Sequence, residues 1–265
     1  MARLGIVGLG LIGASLAEAL RRTRPELEII GVDSDATTMA KALERGIIRE
    51  PGIEGASMIV LAVPPQAMRH LMLNLPRDVL VTDVASTKAE IMVWAAEAGL
   101  DFVGGHPMCG REAFGIDAAD PDLFKGAPWV LTQVDSRVED LVRAVGAHPV
   151  VMDAERHDRV VAGISHVAFS LAAAYTLAVS SSKEWPEMAG LAAGGFRDMT
   201  RLASGSSAMY AGIALTNAGN LAAWLRRVES QLAKLRRHVE AGDGRLAELF
   251  EEAREKHERW LAEGS

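Results

Sequence analysis

The stretch LGIVGLGLIG, residues 4–13, limits what this chain can fold into more than any other. A short apolar run ends in Gly8-Leu9-Gly10-Leu11-Ile12-Gly13 and passes directly into a helical pattern, Leu11–Arg22. Strand, tight turn and helix start in that order build a cradle for a dinucleotide. Gly8 permits the turn, and Gly10 lets the backbone approach a pyrophosphate. Gly13 lets the helix pack closely on the strand, while backbone groups of Leu11 and Ile12 open the helix toward the anion. Asp33 ends the next strand-like run, 20 residues beyond Gly13. A carboxylate there accepts hydrogen bonds from the adenosine ribose and repels a 2′-phosphate, so NAD is expected over NADP.

The rest of the first half keeps the same rhythm. RLGIVGLG, EIIGVD, MIVLAV, DVLVTDV, DFVGG, PWVLTQ and HPVVM read as strands, with helices over Leu11–Arg22, Thr37–Glu44, Pro65–Leu73 and Lys88–Ala98. Such alternation implies βαβ units and a mainly parallel sheet covered on both faces. From Asp153 onward the strand runs stop and Ala/Leu-rich helical segments follow, ending in a charged amphipathic tail, Glu229–Glu263. The expected fold is therefore α/β: a Rossmann-type domain over 1–152 and an all-helical domain over 153–265.

Charge and composition narrow the function. A net charge of −7 gives no case for nucleic acid or an anionic membrane as partner. One cysteine excludes an intrachain disulfide and suits a reducing cytoplasm. MARLGIVGLG lacks the pattern of a signal peptide. Val160–Val179 carries no formal charge over about a membrane-spanning length, but it is rich in Ala, Ser and Gly and holds His166. It reads as the core helix of a large or oligomeric protein.

Strand ends in such sheets form the ligand crevice. Val63 and Pro64 end one strand and are candidates for the wall of the cofactor site; a helix starting at a proline explains the same text. Ser86 ends the next strand, placed either to hydrogen-bond a catalytic group or to cap the following helix. GGHPMCGREAFG, residues 104–115, reads as a loop by its glycines and proline. His106, at a strand end in the same crevice, is placed to act as a general base.

Together GLGLIGAS, Asp33, AVPP, DVASTK, GGHPMCGRE, HDRVVAGISH and GGFRDMTRLASG resemble the prephenate dehydrogenases, including the arogenate and cyclohexadienyl enzymes, over roughly residues 3–230. The resemblance implies a dinucleotide-binding domain joined to a helical dimerisation domain, hence a homodimer. It implies NAD-dependent oxidative decarboxylation of prephenate, a small dicarboxylate, to 4-hydroxyphenylpyruvate in tyrosine biosynthesis. No metal is needed. His106 is assigned to the ring hydroxyl, with Ser86 contacting this histidine and the nicotinamide region. Arg201 is assigned to a substrate carboxylate. Arg197, four residues earlier and expected on the same helix face, either joins it or pairs with an acid such as Asp198. His166 is a candidate pocket residue.

The departures are informative. The family often shows SHLPH where this chain has SHVAF, so Phe169 replaces a histidine, and Tyr210 stands where tryptophan is usual. Arg111 adds a positive charge beside the presumed pocket and is a candidate for binding the substrate's side-chain carboxylate. Cys109 reads as packing, and Glu112 has no assigned role. The length leaves no room for an ACT-type or chorismate mutase domain. A β-hydroxyacid dehydrogenase needs a lysine in the helical half, where only Lys183 in a loop-like stretch is near; an imine reductase needs no His106–Arg201 combination. A nucleotide-sensing module without chemistry explains the glycines and Asp33 but not the rest.

Overall fold

The computed structural model describes residues 3–111 and 113–263. Its first elements are β1 (Arg3–Val7), α1 (Leu11–Thr23), β2 (Glu28–Val32), α2 (Ala36–Glu44), β3 (Met58–Leu61), α3 (Pro65–Met72), β4 (Leu80–Asp83), α4 (Ala89–Glu97) and β5 (Asp101–Val103). These strands form one parallel sheet in the order β2-β1-β3-β4-β5. The chain leaves β1 toward β2 and then returns to β3 on the other side. The switch point, and the crevice it opens, therefore lies at the end of β1, where the glycines sit.

The strands read as continuous apolar runs because both faces are covered. Alternate residues serve opposite layers. Leu4, Ile6, Val60, Leu80 and Val103 join the core beneath α1, whereas Val7, Ile59, Leu61, Val81 and Phe102 join the core made with Met68 and Met72 of α3 and Ile91 and Trp94 of α4.

A second sheet follows: β6 (Gly105–Pro107), β7 (Pro128–Leu131), α5 (Ser136–Ala144) and β8 (His148–Val151). β6 runs antiparallel to β7, and β7 parallel to β8. The expected mainly parallel sheet is present in β1–β5, and the later strand runs form a second sheet where the sequence suggested an extension of the first. DFVGG breaks at Gly104, and the chain steps from the first sheet to the second. The glycines are required at that step: a Cβ on Gly105 would lie 2.5 Å from the Asp83 carbonyl oxygen, and one on Gly104 2.7 Å from the Thr132 methyl. The expected loop at 104–115 is likewise corrected at its start, because Gly105–Pro107 is strand and His106 pairs with Val130.

The helical part begins with a single long helix, α6 (Ala154–Val161) continuing through a π-helical turn (Ala162–His166) into α7 (Val167–Ser180). By length and composition alone Ala154–Ser180 is apolar enough to cross a membrane. α8 (Trp185–Leu191), α9 (Gly194–Thr200) and α10 (Ser207–Thr216) follow. Phe196 of α9 holds this group together, its ring 5.8 Å from Tyr175 and 5.6 Å from Trp185. Asp35, Asp135 and Asp153 cap α2, α5 and α6 through backbone N–H groups, each contributing about 1 kcal/mol.

The chain divides into two compact units, Met1–Ala218 and Gly219–Ser265. The second is made by α11 (Ala218–Ala241) and α12 (Arg245–Glu263). These meet at Gly242, whose φ of +61° suits glycine, beside a His238–Asp243 pair at 2.9 Å. Ion pairs one turn apart, such as Arg236–Glu240 and Lys256–Glu252, line their exposed faces.

Phe124, fully buried against Trp129 at 5.3 Å between rings, anchors the second sheet to the core under α1. Phe124→Ala is expected to cost about 3–5 kcal/mol, read as a lowered midpoint in equilibrium urea unfolding.

Candidate active site

The glycine turn has the geometry of an anion cradle. Gly8 has φ +94°, and a Cβ there would lie 2.4 Å from the Ala62 carbonyl oxygen and 2.8 Å from a Val63 methyl. A Cβ on Gly13 would lie 1.9 Å from the Gly8 carbonyl oxygen, so helix and turn touch. Gly10 is the opposite case: nothing lies within 4 Å of the position its Cβ would take. It heads α1 with no side-chain cap, and the first backbone N–H groups of a helix have no acceptor within it. Leu11 is buried and Ile12 packs on the same core, so what they offer outward is backbone. An open, uncapped, glycine-bounded helix start fits a dinucleotide phosphate.

Asp33 locks this turn from the next strand. Its Oδ2 accepts from Leu9 N at 2.7 Å, and its Oδ1 accepts from Asp35 N at 2.9 Å. Pro64 is exposed at the start of α3, with Pro65 in the first turn.

A run of backbone hydrogen bonds ties the strand ends together. Gly8 N donates to Val32 O, Ala62 N to Val7 O, and Val84 N to Leu61 O. Asp83 extends the run: its Oδ1 accepts from Gly105 N at 2.9 Å, immediately before His106. Asp83 is fully buried, as is Lys88, whose Nζ it binds through Oδ2. Burial pushes the Asp83 carboxyl up and the Lys88 ammonium down, while their mutual attraction opposes both shifts.

His106 is buried within this frame. Its Nδ1 lies 2.8 Å from Nε2 of His157, and Nδ1 of His157 lies 2.7 Å from Oδ1 of Asp158. Asp158 also accepts from the backbone N–H groups of Lys88 at 2.8 Å and Ala89 at 2.9 Å, holding the start of α4. Burial holds the His106 imidazole well below the ordinary histidine range, helped by His157, Lys88 and His166. It is a neutral ring at neutral pH.

His166 sits at the end of the π-helical turn, fully buried. Asn217 Nδ2 donates to the Asp158 carbonyl at 2.8 Å and meets His166 Nδ1 at 3.1 Å. The carbonyl only accepts, so the amide nitrogen faces this way and Nδ1 of His166 is an acceptor. That leaves the proton of the neutral ring on Nε2, with the Ser86 backbone as its neighbour. Burial pushes His166 down to about 4, against the pull of Asp158. Phe169 stands 6.0 Å from the His166 ring and stacks on Tyr210 at 4.2 Å, so the two departures from the family pattern pack on each other.

The other expected residues are placed differently. Ser86 lies half-buried just after β4, but the hydrogen bond on His106 Nδ1 comes from His157, and the N-cap position of α4 is Lys88. Arg111 forms an ion pair with Asp120 at 2.8 Å. The Asp120 backbone N–H in turn donates to Ser15 of α1 at 2.9 Å, so Arg111 is tied to α1 through Asp120. Arg197 and Arg201 do not share one α-helix: α9 closes at Thr200, and Arg201 begins a 3-10 turn through Ser204. Both are exposed. Lys183 lies in a turn before α8. Burial pushes the Cys109 thiol up to about 12, so it offers no thiolate nucleophile. Glu112 lies outside the described residues.

Asp83, Lys88, His157, Asp158 and Asn217 were not singled out from sequence. Asp83 and Lys88 bracket Ser86 in DVASTK, and His157-Asp158 open HDRVV. Two adjacent titratable residues at the head of an apolar helix were the available signal. Asn217 had none.

Comparison with known proteins agrees with this geometry. The family "Prephenate dehydrogenase, nucleotide-binding domain" matches residues 16–151, and "Prephenate dehydrogenase, dimerization domain" matches 153–255. A prephenate dehydrogenase of Lactococcus lactis subsp. cremoris is 38% identical over 82% of this chain, which spans 65% of that protein's length. Among solved structures, prephenate dehydrogenase from A. aeolicus in complex with hydroxyphenyl propionate and NAD+ aligns with a TM-score of 0.90 at 28% identity, covering 98% of each chain. Synechocystis arogenate dehydrogenase aligns at 0.78 and 32% identity, covering 97% of this chain and 99% of its own. With both parts of the chain matched in order and the cradle and buried histidine in place, this protein belongs to the prephenate dehydrogenase family.

Proposed function

We propose that this chain catalyses the NAD-dependent oxidative decarboxylation of prephenate to 4-hydroxyphenylpyruvate, in tyrosine biosynthesis. The observation that carries the reading is His106: a buried imidazole held neutral, joined through Asp83 to the strand ends that also hold the glycine cradle. The names of the relatives support the substrate. Residues 1–152 hold the cofactor, and 153–265 supply substrate contacts and the dimer interface.

The α1 N-terminus, with Gly8, Gly10, Leu11, Ile12 and Gly13, receives the pyrophosphate, and Asp33 receives the ribose. Val63 and Pro64 line the nicotinamide side. NAD held there supplies the hydride acceptor. His106 accepts the proton of the ring 4-hydroxyl as hydride leaves C4, and Ser86 lies at the end of the adjacent strand to orient the reacting groups. The ring carboxylate departs as CO2, its electron pair moves through the ring to the C4 oxygen, that oxygen takes the proton back from His106, and aromatisation drives the step. The protein's work is to orient two reactants and polarise one oxygen. Arg201 binds a substrate carboxylate, His166 offers its Nε2–H, and Arg197 and Arg111 add positive charge around the pocket.

The helical part exposes the apolar side chains Ile164, Leu177, Leu191 and Leu215, surface suited to cover by a second copy. A reducing cytoplasm suits the single cysteine.

Steady-state kinetics with prephenate and with arogenate, each with NAD and NADP, test the reading. Prephenate with NAD is expected to give the highest kcat/KM; arogenate taking that place would move the protein to the other branch of the family. His106→Asn is expected to lower kcat about 10²–10⁴-fold with intact NAD binding. Protonating His106 removes the acceptor, and its pKa lies well below 6.5. So kcat/KM is expected to stay level as pH falls through 6.5 and to drop only below it; a loss already complete at pH 7 would contradict this. The cradle is tested by two glycines. Gly10→Ala enters open space, so it is expected to weaken NAD binding about 10-fold or more in titration calorimetry while leaving the melting temperature unchanged. Gly13→Ala collides with the Gly8 carbonyl and is expected to lower both.

A further inference from the structure

We propose that His157 and Asp158 are positioning residues that hold His106 in one tautomer, with its proton on Nδ1 and its Nε2 lone pair turned toward the substrate hydroxyl. The inference rests on the role given to His106 above and deepens it.

The argument starts from the one member of the chain that has no choice. An ionised carboxylate only accepts hydrogen bonds. Asp158 Oδ1 takes the Lys88 backbone N–H at 2.8 Å and faces His157 Nδ1 at 2.7 Å, and Oδ2 takes the Ala89 N–H at 2.9 Å. The backbone donors anchor the carboxylate to the start of α4, so it is rigid as well as acceptor-only. The His157 proton therefore sits on Nδ1. In the neutral ring its Nε2 carries a lone pair, and that lone pair faces His106 Nδ1 at 2.8 Å. A hydrogen bond at that distance needs one proton, which His106 must supply from Nδ1. A neutral His106 then has no proton on Nε2, and Nε2 is the atom left to accept one.

Geometry favours this set. The two rings meet edge-on, 77° between planes, as a directed N–H···N contact requires rather than a stack. All three side chains are buried, so water does not compete for the ring nitrogens. A free imidazole prefers its proton on Nε2, the unproductive form, so the arrangement selects the rarer tautomer. When His106 accepts the substrate proton it becomes a cation with Nδ1–H already aimed at His157, and the Asp158 carboxylate lies beyond to stabilise the charge. The same division of labour, a carboxylate orienting a histidine that does the proton transfer, operates in hydrolase triads. Here a second histidine is interposed.

The test reads protons directly. In the full chain with 15N-labelled histidine at neutral pH, ring 15N shifts report which nitrogen of His106 is protonated; His106→Asn identifies its signals. Wild type is expected to show Nδ1–H, and His157→Phe, which removes the acceptor, to show Nε2–H. His157→Gln, whose amide oxygen reaches the position of Nε2, is expected to retain Nδ1–H. In turnover His157→Phe is expected to lose about 10-fold or more in kcat with KM changed by less than about 3-fold, and His157→Gln to recover most of it. Wild-type His106 protonated on Nε2, or a His157→Phe variant that keeps Nδ1–H or full kcat, overturns the proposal. The wild-type spectrum decides even if a variant does not fold. If the tautomers behave as stated but prephenate is not turned over, the positioning arrangement stands and the substrate assignment falls.

Discussion

The carboxylate of Asp83 is the joint on which the site is hung. It is fully buried at the end of β4 and accepts from the Gly105 and Ala85 backbone and from Lys88 Nζ. One side chain thereby fixes where the first sheet stops, where the second begins, and where α4 is approached. Two charges buried together gain little net stability, because desolvation offsets their attraction. Removing one partner leaves the other uncompensated at a cost of about 3–5 kcal/mol. The pair is better understood as a constraint on geometry, and that geometry places His106 on the strand that follows.

The same burial sets the electrostatics. His106 and His166 are both held neutral by lack of solvent, and the cation of Lys88 reinforces this at His106. The proposed role of His106, accepting a proton from a weakly acidic hydroxyl, requires a ring that arrives unprotonated. At His166 the effect is complementary: Asn217 occupies Nδ1 and leaves Nε2–H as the donor. Two rings of the same residue type become an acceptor and a donor through their partners alone.

The departures from the family pattern resolve into packing and ion pairing. Phe169 and Tyr210 stack with 8° between planes, so the two departures pack as one unit. Arg111 is engaged by Asp120, whose backbone is tied to Ser15 of α1. Its charge is thus tied to the cofactor helix through Asp120. Cys109 packs against the core beneath α1.

Periodicity and turn chemistry are local properties, and they were legible in the amino-acid order. GLGLIG with Asp33 specifies the cradle because Gly8 and Gly13 each answer a contact within a few residues or on the neighbouring strand, while Gly10 leaves the helix start open. The alternation of apolar runs and helical patterns likewise determined the parallel sheet, and the strand-end position singled out His106. The tertiary structure alone decided the rest. That His106 lies within a strand of a second sheet depends on Asp83 reaching Gly105, 22 residues away. That α9 closes before Arg201 was not legible in the residue order. The line from His106 through His157 to Asp158, and on to Asn217 by way of the Asp158 backbone, crosses 51 positions between His106 and His157 and 59 between Asp158 and Asn217. Hydrogen-bond direction and burial belong to those encounters, and no local pattern encodes them.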